Sequence, residues 1–273
     1  MIARDIGEGR PLVLVHGFEL DHRIMLPLEQ ALDGTPWRRI YLDLPWVVQE
    51  GSARGSADAV AGSQDVADMV VAELREHLGD EPFAIIGNSF GGMIARYVAH
   101  KLRSQVLGLA TLAAVFTARH EDRDLPSRQV LVRDPVLGPA HEDFLALAVV
   151  QTREALAAFN QYILPGLQAG DQTVLKRIAA NYALSREPEA EFPETFDAPS
   201  LHIFGRQDHV TGYNDGVALR EHYVRGTFAV LDSAGHNVHL ERPAVVSALL
   251  TDWLAGVETY AAETSALAPD VPN

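Results

Sequence analysis

The stretch GNSFGG, residues 87–92, stands between an apolar run and a helix-compatible segment, and it restricts the fold more than any other part of the chain. The preceding FAIIG (83–87) predicts a buried strand, and the following GMIARYVAHKL predicts a helix. At such a corner the backbone of Ser89 is strained, so glycine is needed at positions 87 and 91, where side chains would collide. The turn would push the Ser89 hydroxyl out over the sheet. A glycine-rich turn without any chemistry is the alternative interpretation.

Strand and helix patterns alternate on both sides of this corner. A helix is predicted after Ser63 as N-cap, with Gly79 as its stop signal, and another from Pro243, followed by a short helical extension. Continuous apolar runs separated by helices indicate strands buried on both faces of a parallel sheet. The sequence therefore predicts an α/β fold with a mostly parallel, doubly wound sheet. The other predicted strands are PLVLVHG (11–17), RRIYLDLP (38–45), VLGLATLAAV (106–115), SLHIFG (200–205) and TFAVLD (227–232).

The pattern changes between residues 116 and 198. HEDFLALAVV, TREALAAFNQYI and DQTVLKRIAANYAL are helical in periodicity, no clear strand separates them, and the acidic REPEAEFPETFDAP leads out as a loop. We predict an α/β core formed by residues 1–115 and 199–273, with residues 116–198 inserted before the strand at 200–205.

Composition limits the partners. The net charge of −15 disfavours binding to nucleic acid and to anionic membranes. The chain has no cysteine, which excludes disulfides, thiolate metal sites and a cysteine nucleophile. No signal-peptide pattern opens the sequence and no apolar run is long enough to span a membrane, so we expect a soluble cytoplasmic protein. The oligomeric state stays open, a homodimer included.

A serine hydroxyl needs a base to become nucleophilic. His236, in SAGHNVHLERP, follows the strand that ends near residue 232 and precedes the helix that begins at Pro243. This position would return its ring to the carboxyl edge of the sheet. His239 is the competitor, but it lies nearer the helix and is expected to be structural.

The base needs a carboxylate to orient it. Asp208 comes directly after the strand that ends at residue 205, at the same edge of the predicted sheet. Asp215 and Asp232 are the alternatives, and a turn or capping role is the usual one for any aspartate in a loop. The order Ser89, Asp208, His236 matches a known chain order of catalytic triads.

Two backbone amides are candidates for an oxyanion hole. Phe90 follows the serine at the start of a helix, and Phe18 follows the first strong strand in VHGFELDH. His16 is expected to hold this loop through hydrogen bonds. For Asp21 and His22, substrate contact and a local hydrogen-bonded pair are both open, and the local pair is favoured.

Taken together, these stretches resemble the α/β-hydrolase superfamily from about residue 10 to residue 256. LVLVHGF is similar to its oxyanion-loop strand, GNSFGG to its nucleophile elbow, FGRQDHV to its acid loop and SAGHNVHLERP to its histidine loop. The resemblance implies that residues 116–198 form a helical cap. GNSFGG also resembles the elbow of hydrolases that open carbon–carbon bonds in ring-cleavage products, although FELDH stands where those enzymes tend to have Gly-Pro-Gly. DLPWVVQEGSARG departs from the DLPGHG-like sequence of many members.

The resemblance implies a serine hydrolase that cleaves a carboxylic ester or related acyl compound, with a small-molecule substrate and no metal or organic cofactor. The alternatives with the same triad are a C–C bond hydrolase and a cofactor-free perhydrolase. A small-molecule binding protein on a hydrolase scaffold is the non-enzyme alternative. We expect Trp46 and Phe159 to contact the substrate, with Phe90 beside them and further cap residues among Phe144, Leu147 and Ile163.

Overall fold

A computed structural model of the protein describes residues 1–47 and 59–267. Within these residues the strands are β1 (Ile2–Ile6), β2 (Arg10–Val15), β3 (Trp37–Leu42), β4 (Phe83–Asn88), β5 (Val106–Leu112), β6 (Val132–Arg133), β7 (Val150–Gln151), β8 (Ser200–Gly205) and β9 (Gly226–Leu231). The α-helices are α1 (Glu29–Leu32), α2 (Ser63–Leu78), α3 (Phe90–Lys101), α4 (Glu142–Leu147), α5 (Arg153–Tyr162), α6 (Leu164–Ala169), α7 (Gln172–Ala180), α8 (Pro188–Glu191), α9 (Asn214–Ala218), α10 (Val238–Glu241) and α11 (Pro243–Leu267). Short 3₁₀ helices occupy His22–Leu28 and His120–Asp122.

The main sheet has seven strands in the order β1-β3-β2-β4-β5-β8-β9. β1 pairs antiparallel with β3, and the other neighbours pair in parallel. The chain leaves β2 toward β3 on one side and leaves β4 toward β5 on the other, so the winding direction reverses between β2 and β4. Ligand sites of open α/β sheets lie at such switch points, outside the carboxyl ends of the strands. The predicted mostly parallel, doubly wound sheet is confirmed.

Helices cover both faces of this sheet, which explains the continuous apolar strands. In β2, Val13 and Val15 belong to the core that α2 and α3 cover. Leu12 and Leu14 point the other way, into the core that α11 covers. All four side chains are fully buried. A strand with both faces covered can have apolar residues at every position.

Several local features differ from the sequence prediction. The edge strand β1 (IARDI) was not predicted, because polar residues at its third and fourth positions obscure the alternation and its burial is only partial. β5 ends at Leu112 instead of residue 115, since Ala113 turns the chain with φ 45°. Ser63 is the first residue of α2 and Gly62 is its N-cap, whereas Gly79 ends the helix with φ 58°, as predicted.

The segment between β5 and β8 is mainly helical and contains α4 to α8. It also contains a small parallel sheet of β6 and β7 that periodicity did not predict, since each strand has two residues. The acidic stretch predicted as a loop includes the short helix α8. The boundaries of a separate cap domain stay a prediction. None of the helices within residues 1–47 and 59–267 has both the length and the hydrophobicity that crossing a membrane requires.

Candidate active site

Ser89 lies at the corner between β4 and α3, on the β4 side of the switch point. Its backbone has φ 53° and ψ −118°, a left-handed conformation that a non-glycine residue rarely adopts. A Cβ atom at Gly87 would lie 2.2 Å from the carbonyl oxygen of Gly91, and one at Gly91 would lie 2.3 Å from the carbonyl oxygen of His16. The glycines on both sides of the serine are therefore required by close backbone contacts. Local sequence and tertiary packing specify the same strained turn.

His236 and Asp208 meet Ser89 at this edge. Nε2 of His236 lies 2.9 Å from Oγ of Ser89, and Nδ1 of His236 lies 3.0 Å from Oδ2 of Asp208. Because a carboxylate can only accept, Nδ1 carries a proton and Nε2 is left to accept one from the serine hydroxyl. The three residues predicted from sequence are thus joined in one hydrogen-bonded line.

Asp208 is fully buried and heavily hydrogen-bonded. Its Oδ1 accepts from the amides of Val210 and Thr211 at 2.9 and 3.1 Å, and its Oδ2 accepts from the Thr211 hydroxyl at 2.6 Å. Burial alone would raise the pKa of the Asp208 carboxyl, but His236 and these hydrogen bonds hold it below its usual value. Asp208 therefore remains ionised beside the imidazole.

The alternative acids have other surroundings. Asp232 accepts a hydrogen bond of 2.9 Å from the side-chain amide of Gln207, and Asp215 lies in the first turn of α9. The alternative base, His239, is buried, and its Nε2 lies 2.9 Å from the carbonyl oxygen of Ile24. Burial lowers the pKa of His239 to about 4, so it is neutral and structural, as expected.

His16 holds the loop after β2, as predicted. Its Nε2 accepts from the amide of Leu44 at 3.0 Å, so Nδ1 carries the proton and donates to the carbonyl of Gly17 at 2.8 Å. Burial lowers the pKa of His16, which keeps the ring neutral. The favoured local pair of Asp21 and His22 is wrong. Asp21 caps the following 3₁₀ helix and pairs with Arg23 at 2.7 Å.

His22 bonds elsewhere, to the loop after β3. Its Nδ1 lies 2.9 Å from Oδ1 of Asp43, which also accepts from the His22 amide at 3.0 Å. Asp43 lies more than twenty positions along the chain, so adjacency in sequence could not identify it as the partner.

Neither candidate oxyanion amide, Phe18 or Phe90, has a hydrogen-bond acceptor within the described residues. The Phe90 amide opens the twelve-residue helix α3, where the helix dipole favours negative charge. Both amides thus remain available to an external oxygen.

A cavity of about 350 Å³ opens over Ser89 and His236. Its wall is mostly apolar, and it also contains the carboxylates of Glu19 and Asp143 but no lysine or arginine among the described residues. Partial desolvation of its carboxyl group and the nearby charge of Asp143 raise the pKa of Glu19, although the residue remains exposed to solvent. The apolar lining residues are Phe18, Leu20, Ala146, Leu147, Ile163, Leu167 and Val210.

Trp46 and Phe159, which the sequence predicted to contact the substrate, do not line this cavity. Trp46 is fully buried behind Phe18 and Phe90. Phe159 packs against Phe144 with ring centroids 5.5 Å apart, and both residues belong to helices between β5 and β8. Both aromatic side chains are buried by packing against other residues, and neither faces the cavity. The remainder of the loop after Trp46, residues 48–55, lies outside the described residues.

Leu147 and Ile163, from the segment between β5 and β8, line the cavity. Tyr182, Glu19 and Asp143 were missed. Glu19 could have been inferred from its place beside Phe18 in the loop after β2. Tyr182 and Asp143 had no local signal, since only the folding of the segment over the sheet brings them to Ser89. Within the described residues, no group of three or more His, Cys, Asp or Glu side chains is placed to hold a metal ion.

A serine on a strand-to-helix corner, with an aspartate and a histidine on later loops of a parallel sheet, is the architecture of an α/β hydrolase. A family model described as the alpha/beta hydrolase fold matches residues 10–243. The chain belongs to this family, which confirms the resemblance drawn from the four motifs.

Curated relatives are esterases and lipases. The chain is 29% identical to a pimeloyl-[acyl-carrier protein] methyl ester esterase of Shewanella woodyi over 91% of this chain and 95% of that protein. It is 24% identical to the monoacylglycerol lipase ABHD6 of Mus musculus, over 91% and 78% of the two chains. Among solved structures, an alpha/beta superfamily hydrolase from Oenococcus oeni PSU-1 is 26% identical with a TM-score of 0.85, over 93% of this chain and 95% of that chain. The predicted class, an enzyme of the α/β-hydrolase family, is confirmed.

Proposed function

We propose that this protein is a serine hydrolase that cleaves a carboxylic ester through an acyl-enzyme. The observation that carries the proposal is the hydrogen-bonded line from Ser89 through His236 to Asp208, which opens into the cavity at the switch point of the sheet. The curated relatives, which are methyl ester esterases and monoacylglycerol lipases by name, support an ester as the substrate.

In the first half-reaction, Oγ of Ser89 bonds to the ester carbonyl carbon while Nε2 of His236 takes the hydroxyl proton. The carbonyl electron pair moves to oxygen, and the amides of Phe18 and Phe90 stabilise that oxyanion. Asp208 stabilises the imidazolium. The C–O bond to the alcohol then breaks, and the departing alkoxide takes the proton from His236.

In the second half-reaction, water attacks the acyl-enzyme and gives a proton to Nε2 of His236. The new tetrahedral intermediate collapses, the carboxylic acid leaves, and Oγ of Ser89 recovers the proton. Every step uses side chains and amides of this chain, so the mechanism requires no metal or organic cofactor.

The cavity wall supports an uncharged acyl substrate. Apolar side chains such as Leu147 and Ile163 favour a hydrocarbon acyl group, and a volume of about 350 Å³ suits a small molecule. Glu19 and Asp143 would repel a carboxylate on the substrate, with no lining lysine or arginine among the described residues to offset them.

The proposal is tested with a fluorophosphonate probe and a panel of p-nitrophenyl esters, lactones and ring-cleavage dienones. We expect the parent protein to be labelled and to hydrolyse esters, and Ser89→Ala to lose labelling and at least about 10³-fold in turnover while remaining folded. Ser127→Ala, at an exposed serine, is the matched control and should behave like the parent. Labelling that survives in Ser89→Ala would place the nucleophile elsewhere.

The same panel separates the alternatives. Turnover of dienones without ester hydrolysis would favour a C–C bond hydrolase, and peracid formation from a carboxylic acid and peroxide would favour a perhydrolase. Tight binding of a panel compound with neither labelling nor turnover would favour a binding protein on the same scaffold.

A further inference from the structure

Trp46 belongs to an aromatic cluster behind the candidate oxyanion hole. It follows β3, and its side chain is fully buried. Its indole Nε1 donates a hydrogen bond of 2.8 Å to the carbonyl of Leu20, in the loop after β2. The backbone carbonyl of Trp46 accepts a hydrogen bond of 2.8 Å from the amide of Asp171, the N-cap residue of α7. Trp46 therefore connects the loop after β2 to the cap segment.

The indole ring also contacts both residues whose amides face the reacting oxygen in the proposed mechanism. Its ring centroid lies 5.2 Å from that of Phe18 and 5.6 Å from that of Phe90, with edge-to-face angles of 68° in both pairs. The Phe18 and Phe90 rings are 5.6 Å apart. Tyr182 of the cap closes the cluster at 5.5 and 5.4 Å from these two rings. Edge-to-face contacts of this kind hold rings in a preferred relative orientation.

An oxyanion hole acts only when its donors lie about 2.7 to 3.1 Å from the oxygen that becomes charged. The Phe90 amide is fixed by β4 and α3, whereas the Phe18 amide lies in a loop whose next residue, Glu19, has φ 64°. Trp46 holds that loop twice, through the Phe18 ring and through the Leu20 carbonyl. The same ring rests on Phe90, so one side chain contacts both residues of the candidate oxyanion hole.

We infer that Trp46 is a positioning residue of the oxyanion hole, acting through the Phe18 loop without touching substrate. The inference rests on the proposed serine hydrolase mechanism. Loss of this contact moves a donor that matters chiefly once the carbonyl oxygen is charged, so kcat falls and KM changes little. A residue that only filled the core would lower stability without this selective effect.

The test compares Trp46→Phe and Trp46→Leu with a matched tryptophan. Trp253 is also buried, in the core that α11 covers. Its Nε1 donates a hydrogen bond of 3.1 Å to the carbonyl of Pro199. Trp253→Phe therefore removes the same kind of hydrogen bond away from Ser89. For each folded variant, kcat and KM are measured with p-nitrophenyl butyrate, together with the inhibition constant of a trifluoromethyl ketone that forms a tetrahedral adduct on serine.

We expect Trp46→Phe to lower kcat about tenfold and Trp46→Leu by up to about 100-fold, which does not exceed the loss of about 10² to 10³ for a deleted donor. The affinity for the ketone should fall by the same factors, and KM should change less than about threefold. Trp253→Phe should match the parent in kcat, KM and ketone affinity. Parental kcat and ketone affinity in Trp46→Phe would overturn the inference, as would equal kinetic losses in Trp253→Phe. If Ser89→Ala kept labelling and turnover, the proposed function would fail first; if Ser89→Ala is inactive and Trp46→Phe is fully active, only this inference fails.

Discussion

The Oε2 atom of Glu241 accepts a hydrogen bond of 2.6 Å from the amide of Gly235, the residue before His236. Its Oε1 accepts from the amides of Val149 and Val150 at 2.7 and 3.1 Å. Burial raises the pKa of the Glu241 carboxyl, and these three amide donors favour its charged form. The Glu241 carboxylate thus joins the loop that carries His236 to Val149 and Val150, in the segment between β5 and β8.

Glu241→Gln should disturb this junction, because glutamine offers one oxygen and turns an NH₂ group toward the remaining amide donors. A buried donor without an acceptor costs about 1 to 3 kcal/mol. We expect a lower free energy of unfolding by that amount and a kcat/KM reduced about tenfold, since both His236 and the cavity wall shift. Urea denaturation and ester kinetics measure the two effects. Glu221→Gln, at a side chain that is 86% exposed, is the control, and a variant indistinguishable from it would contradict the prediction.

Asp208→Asn should reverse the tautomer of His236. The Oδ1 side of this residue accepts from the amides of Val210 and Thr211, so an asparagine would keep its oxygen there and present NH₂ to Nδ1 of His236. Nδ1 would then have to accept, and Nε2 would carry the proton and could no longer act as base. We expect kcat to fall about 10³ to 10⁴-fold with the protein folded. Asp232→Asn is the control, and a greater loss there would identify Asp232 as the acid.

The sequence predicted those parts of the site that local chemistry defines. The glycine-flanked corner was sufficient to predict Ser89. The positions of His236 and Asp208 directly after strands of a parallel sheet were sufficient to predict those two residues. These signals are short-range because a strand end, a turn and a helix start are adjacent in the chain. The same reasoning predicted most strands, since a run buried on both faces leaves a continuous apolar pattern.

The remaining features depend on which distant segments meet. Trp46 has an apolar ring in a loop, and the sequence does not determine whether that ring faces a ligand or Phe18 and Phe90. Glu189 lies in an acidic stretch typical of an exposed loop, yet it pairs with Arg96, 93 positions away. Charge pattern along the chain does not encode such a contact, because burial of the charge follows from the packing of α8 on α3.

Substitutions in the cavity wall should separate selectivity from stability. Leu147 and Ile163 line the cavity, so Leu147→Ala and Ile163→Ala should shift the preferred p-nitrophenyl ester toward longer acyl chains by about tenfold in relative kcat/KM. Phe159→Ala should instead lower the free energy of unfolding by about 3 to 5 kcal/mol with a smaller change in preference, because Phe159 is buried against Phe144 and does not line the cavity. A chain-length series and urea denaturation test all three variants. Unchanged preference in the two lining variants would exclude this wall from the acyl site.

The carboxylates of the cavity should select against charged acyl groups. Glu19→Gln removes one negative charge beside Ser89, so kcat/KM for the mono-p-nitrophenyl ester of glutaric acid should rise about threefold relative to p-nitrophenyl valerate. The gain should shrink in high salt, because Glu19 is exposed and its field is screened. Glu221→Gln supplies the control for net charge. An equal rise with both esters would show that Glu19 acts on something other than substrate charge.

Arg96 and Glu189 form a buried ion pair between α3 and α8. Nε of Arg96 donates a hydrogen bond of 2.8 Å to Oε1 of Glu189, and Nη2 donates a second one to Oε2 of the same carboxylate. Nη1 of Arg96 donates a hydrogen bond of 2.7 Å to the carbonyl of Val115. The Tyr223 hydroxyl also donates to Glu189. Burial alone would raise the pKa of Glu189, but the charge and hydrogen bonds of Arg96 lower it from 4.5 to about 2.

Glu189→Gln should therefore destabilise the protein by about 3 to 5 kcal/mol at pH 7, because it removes the hydrogen-bonded counter-charge of the buried Arg96 guanidinium and leaves only the Glu187 carboxylate, 3.8 Å away. The folded-state pKa of Glu189 is depressed, so its contribution is complete above pH 4.5 and is lost as the pH falls toward about 2. The difference in unfolding free energy between parent and variant should consequently shrink across that window. Urea denaturation at pH 7, 4.5 and 3 measures it, with Glu194→Gln, at an exposed position of the same acidic stretch, as control. A difference that is small at pH 7, or that stays constant down to pH 3, would show that the Arg96–Glu189 pair does not provide this stability.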